Sequence, residues 1–314
     1  MDEIKPLVRP TFYFIGVSTG YSKIMGLFPR WIRALGFSQI EIRGYDIEVR
    51  GPAERYRAIV RHIKGPGMAV GALVTTHKID IVRNAGDLFD AFDPYARVFG
   101  EISVIAKRDG RLEGYAKDPV SSGLALEAFL PSGYWIDNPN AQVLIMGAGG
   151  SGLALSAYLM KTEHGRNVPT KIAISNRRPG PLEHARRVHD SLGRRTEVAY
   201  VMVDQGAGND ALIAVLPPGS LVVNATGMGK DRPGSPLSDG ALFPENGYAW
   251  DFNYRGSLEF LGQAARQSGR RNLHVEDGWT YFIHGWSQAI MEALHIDLSA
   301  GEIETLSGIA ADLR

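Results

Sequence analysis

The apolar strand-like run Gln142–Met146, followed by Gly147-Ala148-Gly149-Gly150-Ser151-Gly152 and the helix-like stretch Leu153–Lys161, constrains this chain most. Each glycine of such a G-x-G-x-x-G turn has a task in a dinucleotide fold. Gly147 permits a tight turn, Gly149 lets backbone approach a pyrophosphate, and Gly152 lets helix and strand pack without an intervening Cβ. The helix start adds free N–H groups and a partial positive charge that suit phosphate. With 37 glycines in the chain, a plain strand-to-helix turn is the alternative. The flanking strand and helix are the context that the fingerprint requires.

The next strand-like run, Lys171–Ser175, leads into Ser175-Asn176-Arg177-Arg178-Pro179. An NAD site usually carries Asp or Glu there, for the ribose hydroxyls. Here no carboxylate stands in that position and two guanidiniums do, which points to NADP with Arg177 and Arg178 near the 2′-phosphate. A solvated basic loop is the other reading of the same residues.

Strands alternate with helices on either side of this motif. Thr11–Val17, Gln39–Val49 and Met68–Thr76 read as strands, and Ala53–Ile63 as a helix. Ile24, Leu27, Phe28, Trp31 and Leu35 recur at helical spacing. Asp109-Gly110 joins two strand-like runs as a hairpin turn, and Asp118-Pro119 reads as a helix start. Further strands are expected at Leu221–Ala225, Tyr248–Phe252 and Asn272–Val275, with a closing helix over Tyr281–Ile296. The expected class is α/β in two domains. An N-terminal α/β substrate-binding domain (1–120 plus 281–314) accompanies a Rossmann-like, doubly wound NADP-binding domain (121–280).

At 314 residues with 44% hydrophobic and 22% charged residues, the chain suits a two-domain globular enzyme. Lys plus Arg equals Asp plus Glu, 34 each, so no global field draws it to nucleic acid or to an anionic membrane. The absence of cysteine excludes disulfides, thiolate catalysis and cysteine-bound metal, and the eight histidines show no metal-ligand spacing. The N-terminal Met1-Asp2-Glu3-Ile4 lacks a signal peptide's pattern, so a cytoplasmic protein is expected, as a monomer or homodimer.

From about Phe14 to Met291 the order of motifs resembles the shikimate and quinate dehydrogenase family. Gly16–Lys23 (GVSTGYSK) looks like its substrate-carboxylate loop and Val74-Thr75-Thr76-His77-Lys78 like its V-T-x-P-x-K segment. Gly100–Val104 and Gly114–Asp118 look like its hairpin ending in N-T-D. GAGGSG and SNRR match its cofactor motifs, and Val223–Gly229 resembles its N-A-T loop. Asp251-Phe252-Asn253-Tyr254 and Asp277-Gly278 match later landmarks.

The resemblance implies two domains with a cleft between them, and hydride transfer between NADP and a ring alcohol of a small carboxylic acid. It implies Lys78 and Asp118 as the catalytic pair, Ser22, Thr75, Ser103 and Tyr254 at the substrate, and Asn224 and Thr226 beside the cofactor. A lysine can serve as a proton carrier if burial lowers its pKa, and a carboxylate partner raises it again, so such a pair titrates as a unit.

The chain also departs from the pattern. Ile24 stands at a second serine, Leu73 at an asparagine, Ser103 at the hairpin asparagine and Ala116-Lys117 at N-T, while Gly285 aligns with a glutamine beside His284. The V-T-x-P-x-K segment is one residue short and has no proline. A more apolar pocket is expected from Ile24 and Leu73, with Trp279, Tyr281 and Phe282 as further candidates and Trp286 as core. Lys117 is a candidate contact for an acidic substrate. A methylene-tetrahydrofolate dehydrogenase-like enzyme and a non-catalytic NADP sensor are the alternatives. The Ser22–Lys23 loop and the hairpin ending in Asp118 argue against the first, and the presence of both Lys78 and Asp118 argues against the second.

Overall fold

A computed structural model of the chain describes residues 4–193, 196–204, 206–230 and 232–313. The first sheet grows from the strand–helix alternation. Its elements are β1 (Thr11–Gly16), α1 (Ile24–Ala34), β2 (Glu41–Asp46), α2 (Ala53–Lys64), β3 (Ala69–Val74), α3 (Lys78–Ala85), β4 (Ala91–Phe92), α4 (Pro94–Phe99), β5 (Val104–Arg108) and β6 (Arg111–Tyr115). The strand order is β2-β1-β3-β5-β6-β4. β1 runs parallel to β2 and β3, whereas β5 pairs antiparallel with β3 and with β6. Asp109 (φ 49°) and Gly110 (φ 75°) form the β5–β6 turn, both in the left-handed region that a two-residue hairpin demands.

The second sheet follows through α5 (Asp118–Glu127), α6 (Tyr134–Asp137), β7 (Val143–Met146), α7 (Gly150–Leu159), β8 (Lys171–Asn176), α8 (Pro179–Leu192), β9 (Glu197–Met202), α9 (Gly206–Ala214), β10 (Leu221–Asn224), β11 (Tyr248–Asp251), α10 (Glu259–Arg271) and β12 (His274–Glu276). All six strands are parallel in the order β12-β11-β10-β7-β8-β9. Alternation along β7 shows why its run is apolar throughout. Val143 and Ile145 join a core with Leu126, Leu155 and Trp250, while Leu144 and Met146 join another with Ile213, Phe243 and Phe260. A parallel sheet covered on both faces buries every residue of its central strands.

The chain closes with α11 (Trp279–Leu294) and α12 (Ala300–Ala310). It divides into two compact units, Met1–Lys117 with Ile283–Arg314, and Asp118–Phe282. Asp118–Val120, Tyr281 and Phe282 thus belong with the parallel sheet rather than with the first unit. Within the first unit, Trp286 of α11 is buried against Phe12 (6.2 Å between centroids) and Phe14 (5.0 Å). Trp31 of α1 is fully buried and donates from Nε1 to Leu306 O at 2.8 Å, which ties α12 to the same unit. Burying each such ring contributes about 2–3 kcal/mol. Among the described residues, no helix is long and apolar enough to cross a membrane.

Candidate functional site

Strand order reverses between β7 and β10, and in open parallel sheets this switch point, at the carboxyl ends of the strands, is where ligands bind. Register aligns Ser175, Met146, Asn224 and Asp251 across that edge, so the next residues of β7 and β10 open the two central loops. Gly147 sits at φ 109°, and its N–H donates to Ser175 O at 2.9 Å. A Cβ on Gly147 would lie 2.8 Å from Ala225 O, and one on Gly152 would lie 2.0 Å from Gly147 O. A Cβ on Gly149 would meet nothing within 4 Å. The glycines therefore divide their tasks: Gly147 takes the positive-φ turn close to the β10 loop, Gly152 allows close packing, and Gly149 leaves open space. Gly149 caps α7 without a side-chain hydrogen bond, so the N–H groups of Gly150, Ser151 and Gly152 face no competing side-chain cap. These residues fit a dinucleotide pyrophosphate.

The β10 loop is shaped from inside. Asn224 and Asp251 are both fully buried. Asp251 accepts from Asn224 Nδ2 (3.1 Å to each carboxyl oxygen), from Asn253 N (2.9 Å) and from Asn253 Nδ2 (2.8 Å). Asn224 Oδ1 accepts from Thr226 N (3.0 Å) and Thr226 Oγ1 (2.6 Å), and Asn253 Nδ2 also reaches Thr226 O and Met228 O, each at 3.1 Å. Asn224 and the Thr226 hydroxyl thus shape the loop that lies against Gly147.

Burial pushes the Asp251 carboxyl up to about 7 against the pull of those N–H donors, with Asp277 adding to the rise. This acid's pKa is higher folded than unfolded, so between about 4 and 7 the folded protein holds a proton that the unfolded chain has lost. The contribution of this group to stability is therefore fully present below pH 4 and is lost as pH rises towards 7, by on the order of 4 kcal/mol. Melting curves between pH 5 and 8 should show this decline in the native protein and a flatter profile in Asp251→Asn. Equal slopes in both would rule Asp251 out as its source.

Arg177 and Arg178 lie exposed directly after β8, with Arg178 at the N-cap of α8, and Asn176 Nδ2 donates to Arg178 O at 3.4 Å. Tyr254 packs on Phe282 (4.8 Å) and edge-on to Trp279 (5.5 Å), and Trp279 stacks on Phe282 at 5.2 Å.

In the first unit, four sequence candidates lie on connections at one end of β1 and β3. Ser22 ends the 3-10 turn Thr19–Tyr21, its N–H on Thr19 O at 3.0 Å. Thr19 in turn donates from N (2.8 Å) and Oγ1 (2.6 Å) to Asp46. Thr75 N donates to Ile15 O at 2.9 Å, and a Cβ on Gly16 would lie 3.0 Å from Thr75 Cγ2 and 3.1 Å from Thr19 Cγ2. Lys78 opens α3, half-buried, and Ser103 precedes β5, which starts beside the end of β3. Asp118 is the first residue of α5, in the second unit.

No protein-family model matches the chain. The NADP(+) shikimate dehydrogenase of Symbiobacterium thermophilum is 30% identical over 236 residues, covering 74% of this chain and 73% of that protein. The chain belongs to the shikimate/quinate dehydrogenase family. Its fold agrees with quinate dehydrogenase from Corynebacterium glutamicum in complex with NAD (TM-score 0.75, 20% identity, 97% of this chain and 99% of that one). It also agrees with ligand-free 5-ketofructose reductase of a Gluconobacter species (TM-score 0.67, 16% identity, 96% and 98%). The protein is a shikimate dehydrogenase-like, NAD(P)-dependent oxidoreductase.

Several family positions are occupied in ways the sequence does not reveal. Ile24 is fully buried in α1, so it contributes to the core and not to an apolar pocket wall. Leu73 is half-buried. Ser103 Oγ accepts from Lys117 N at 2.8 Å and lies 3.5 Å from Tyr115 O, so the hydroxyl closes the hairpin. The Lys117 ammonium pairs with Glu292 of α11 and lies over the Tyr115 ring, so it is not a spare cation for an acidic substrate. Trp279 is buried, Tyr281 packs on Phe252, and burial lowers the His284 pKa. A Cβ on Gly285 would meet nothing within 4 Å. The Asp251–Asn253 clamp and buried His77 were not identified as functional from sequence. The motif around Asp251 was visible, but its polar partners were not.

Proposed function

We propose that the chain catalyses reversible, NADP-dependent hydride transfer between a ring hydroxyl and the matching ketone of a shikimate- or quinate-like carboxylic acid. The observation that carries this reading is the edge of the parallel sheet. There an uncapped glycine-rich helix start stands beside a β8 terminus with two exposed guanidiniums and no carboxylate. The substrate class follows the shikimate dehydrogenase relative. Bound NADP supplies the hydride acceptor. The protein must handle the hydroxyl proton, and Lys78 and Asp118 are assigned that work. Ser22, Thr75 and Tyr254 are assigned to orient the substrate by hydrogen bonding, and Ser103 to act through the hairpin it closes. A second reading, an uncharged polyhydroxy ketone as substrate, is favoured by the engagement of Lys117 with Glu292, which removes one candidate carboxylate partner.

Initial rates of NADP reduction with shikimate and with quinate, with NAD in parallel, test the reading. Turnover with either acid and preference for NADP are expected. Absent turnover on both acids, with activity on uncharged ketoses, would overturn the substrate class. Arg177→Ala combined with Arg178→Ala should weaken NADP by about 10- to 100-fold while NAD changes little. Equal effects on both cofactors would show that these arginines do not read the 2′-phosphate.

A further inference from the structure

Between β3 and the helix that Lys78 opens, the backbone turns at Thr76 with φ 59°, and the His77 N–H closes back on Thr75 O. A hydrogen bond from residue i+2 to residue i around a positive central φ is the rare, strained form of the γ-turn. A β-branched residue is among the worst placed to adopt it. Such a turn persists only where its surroundings overdetermine it. On one side Thr75 N is held by Ile15 O of β1 at 2.9 Å. On the other, Ile81 N donates to His77 O at 2.9 Å as α3 begins.

The side chain of His77 adds a third anchor. His77 is fully buried. Its Nε2 lies 2.8 Å from Ile47 O, and its Nδ1 lies 3.2 Å from Tyr56 Oη. A carbonyl can only accept, so Nε2 carries a proton, and in the neutral ring Nδ1 is then the acceptor for the tyrosine hydroxyl. Tyr56 is itself buried and meets the imidazole edge-on, with centroids 5.4 Å apart. Asp80 Oδ2 lies 3.9 Å from Nδ1. The imidazole thus ties the turn to α2 and to the segment after β2. Neither neighbour takes part in proton transfer under the proposed function.

We propose that His77 is a positioning residue that holds the strained Thr76 turn and thereby fixes the backbone from which Lys78 acts. This rests on the reading of Lys78 as a proton-handling group. The test compares wild type, His77→Ala, His77→Gln and Tyr56→Phe. It uses kcat, dinucleotide Kd, and the pH dependence of Lys78 acetylation by acetic anhydride, followed by peptide mass spectrometry. His77→Ala should lower kcat by roughly 10- to 100-fold with dinucleotide Kd unchanged, since a small displacement of a reacting group costs rate more than binding. It should also shift the Lys78 acetylation profile. His77→Gln keeps an N–H for Ile47 O and should recover most of the rate. Tyr56→Phe removes only the hydroxyl donor and should shift both readouts in the same direction by less, which covers the case in which His77→Ala does not fold.

A lowered melting temperature with unchanged kcat and an unchanged acetylation profile would overturn the proposal, leaving His77 as packing alone. Wild-type turnover that survives Lys78→Ala would defeat the underlying assignment of Lys78. The acetylation profile, which needs no substrate, then still decides whether His77 positions that amine.

Discussion

Lys78→Ala is expected to reduce turnover by roughly 10²- to 10⁴-fold, the usual contribution of a placed acid–base group, while dinucleotide affinity stays close to wild type. The residue is half-buried at the first position of α3. Its backbone carbonyl accepts from Ile102 N at 3.2 Å, a bond that truncation leaves in place. Alanine is also the best helix former, so α3 should keep its start. The loss should therefore appear in kcat and not in the melting temperature. Binding titrations with NADP alone separate the two effects, because the glycine-rich loop lies in the other unit. Turnover within a few-fold of wild type would remove Lys78 from the mechanism, and the proton would then have to be handled by another group.

Gly152→Ala is expected to abolish measurable dinucleotide binding and to lower stability by about 1–3 kcal/mol or more, as overpacking does. The added methyl would stand 2.0 Å from Gly147 O, 3.1 Å from Ile145 Cγ2 and 3.2 Å from the Gly147 carbonyl carbon. Two of these three atoms are backbone, so no side-chain rotation relieves the clash, and α7 must move away from β7. That movement displaces the N–H groups at the start of α7 from the position where a phosphate would meet them. Gly149→Ala is the matched control, since its methyl would enter open space. It should leave the melting temperature unchanged, so any loss of NADP affinity there reports the approach of the ligand itself. If Gly152→Ala binds NADP as wild type does, this loop is not the pyrophosphate site.

The parts of the fold legible from sequence were those whose signal is local. Val143–Met146 and Leu221–Val223 are apolar throughout because both faces of the sheet are covered, and the strands Val143–Met146 and Leu221–Asn224 differ by one residue at an end from the bounds that the sequence suggests. The Asp109-Gly110 turn was legible because few residue pairs tolerate two positive φ angles in succession. By contrast, β9 was not recognised. Its run Val198–Met202 is apolar, but it is an edge strand whose four central residues are all half-buried, so it shows no alternation of buried and exposed positions. The helix α10 was also missed, since its buried face includes Gln263 and Gln267 beside Phe260 and Ala264. Those glutamines are satisfied by Leu237 O and Ala241 O, partners that no local window contains.

The sequence by itself determined the class of protein: a glycine-rich turn between strand and helix, a basic β8 terminus, and the ordered family motifs that carry Lys78 and Asp118. Tertiary structure alone decided which polar groups remain available for ligands. Ser103 is spent on Lys117 N, Lys117 on Glu292, and Asn224 on Asp251. Ile24 turned inward, although it replaces a polar residue of the family pattern. The physical reason is shared. A side chain's chemistry is written in its type, but its availability depends on desolvation and on hydrogen-bond partners far along the chain, which are set only when the elements pack.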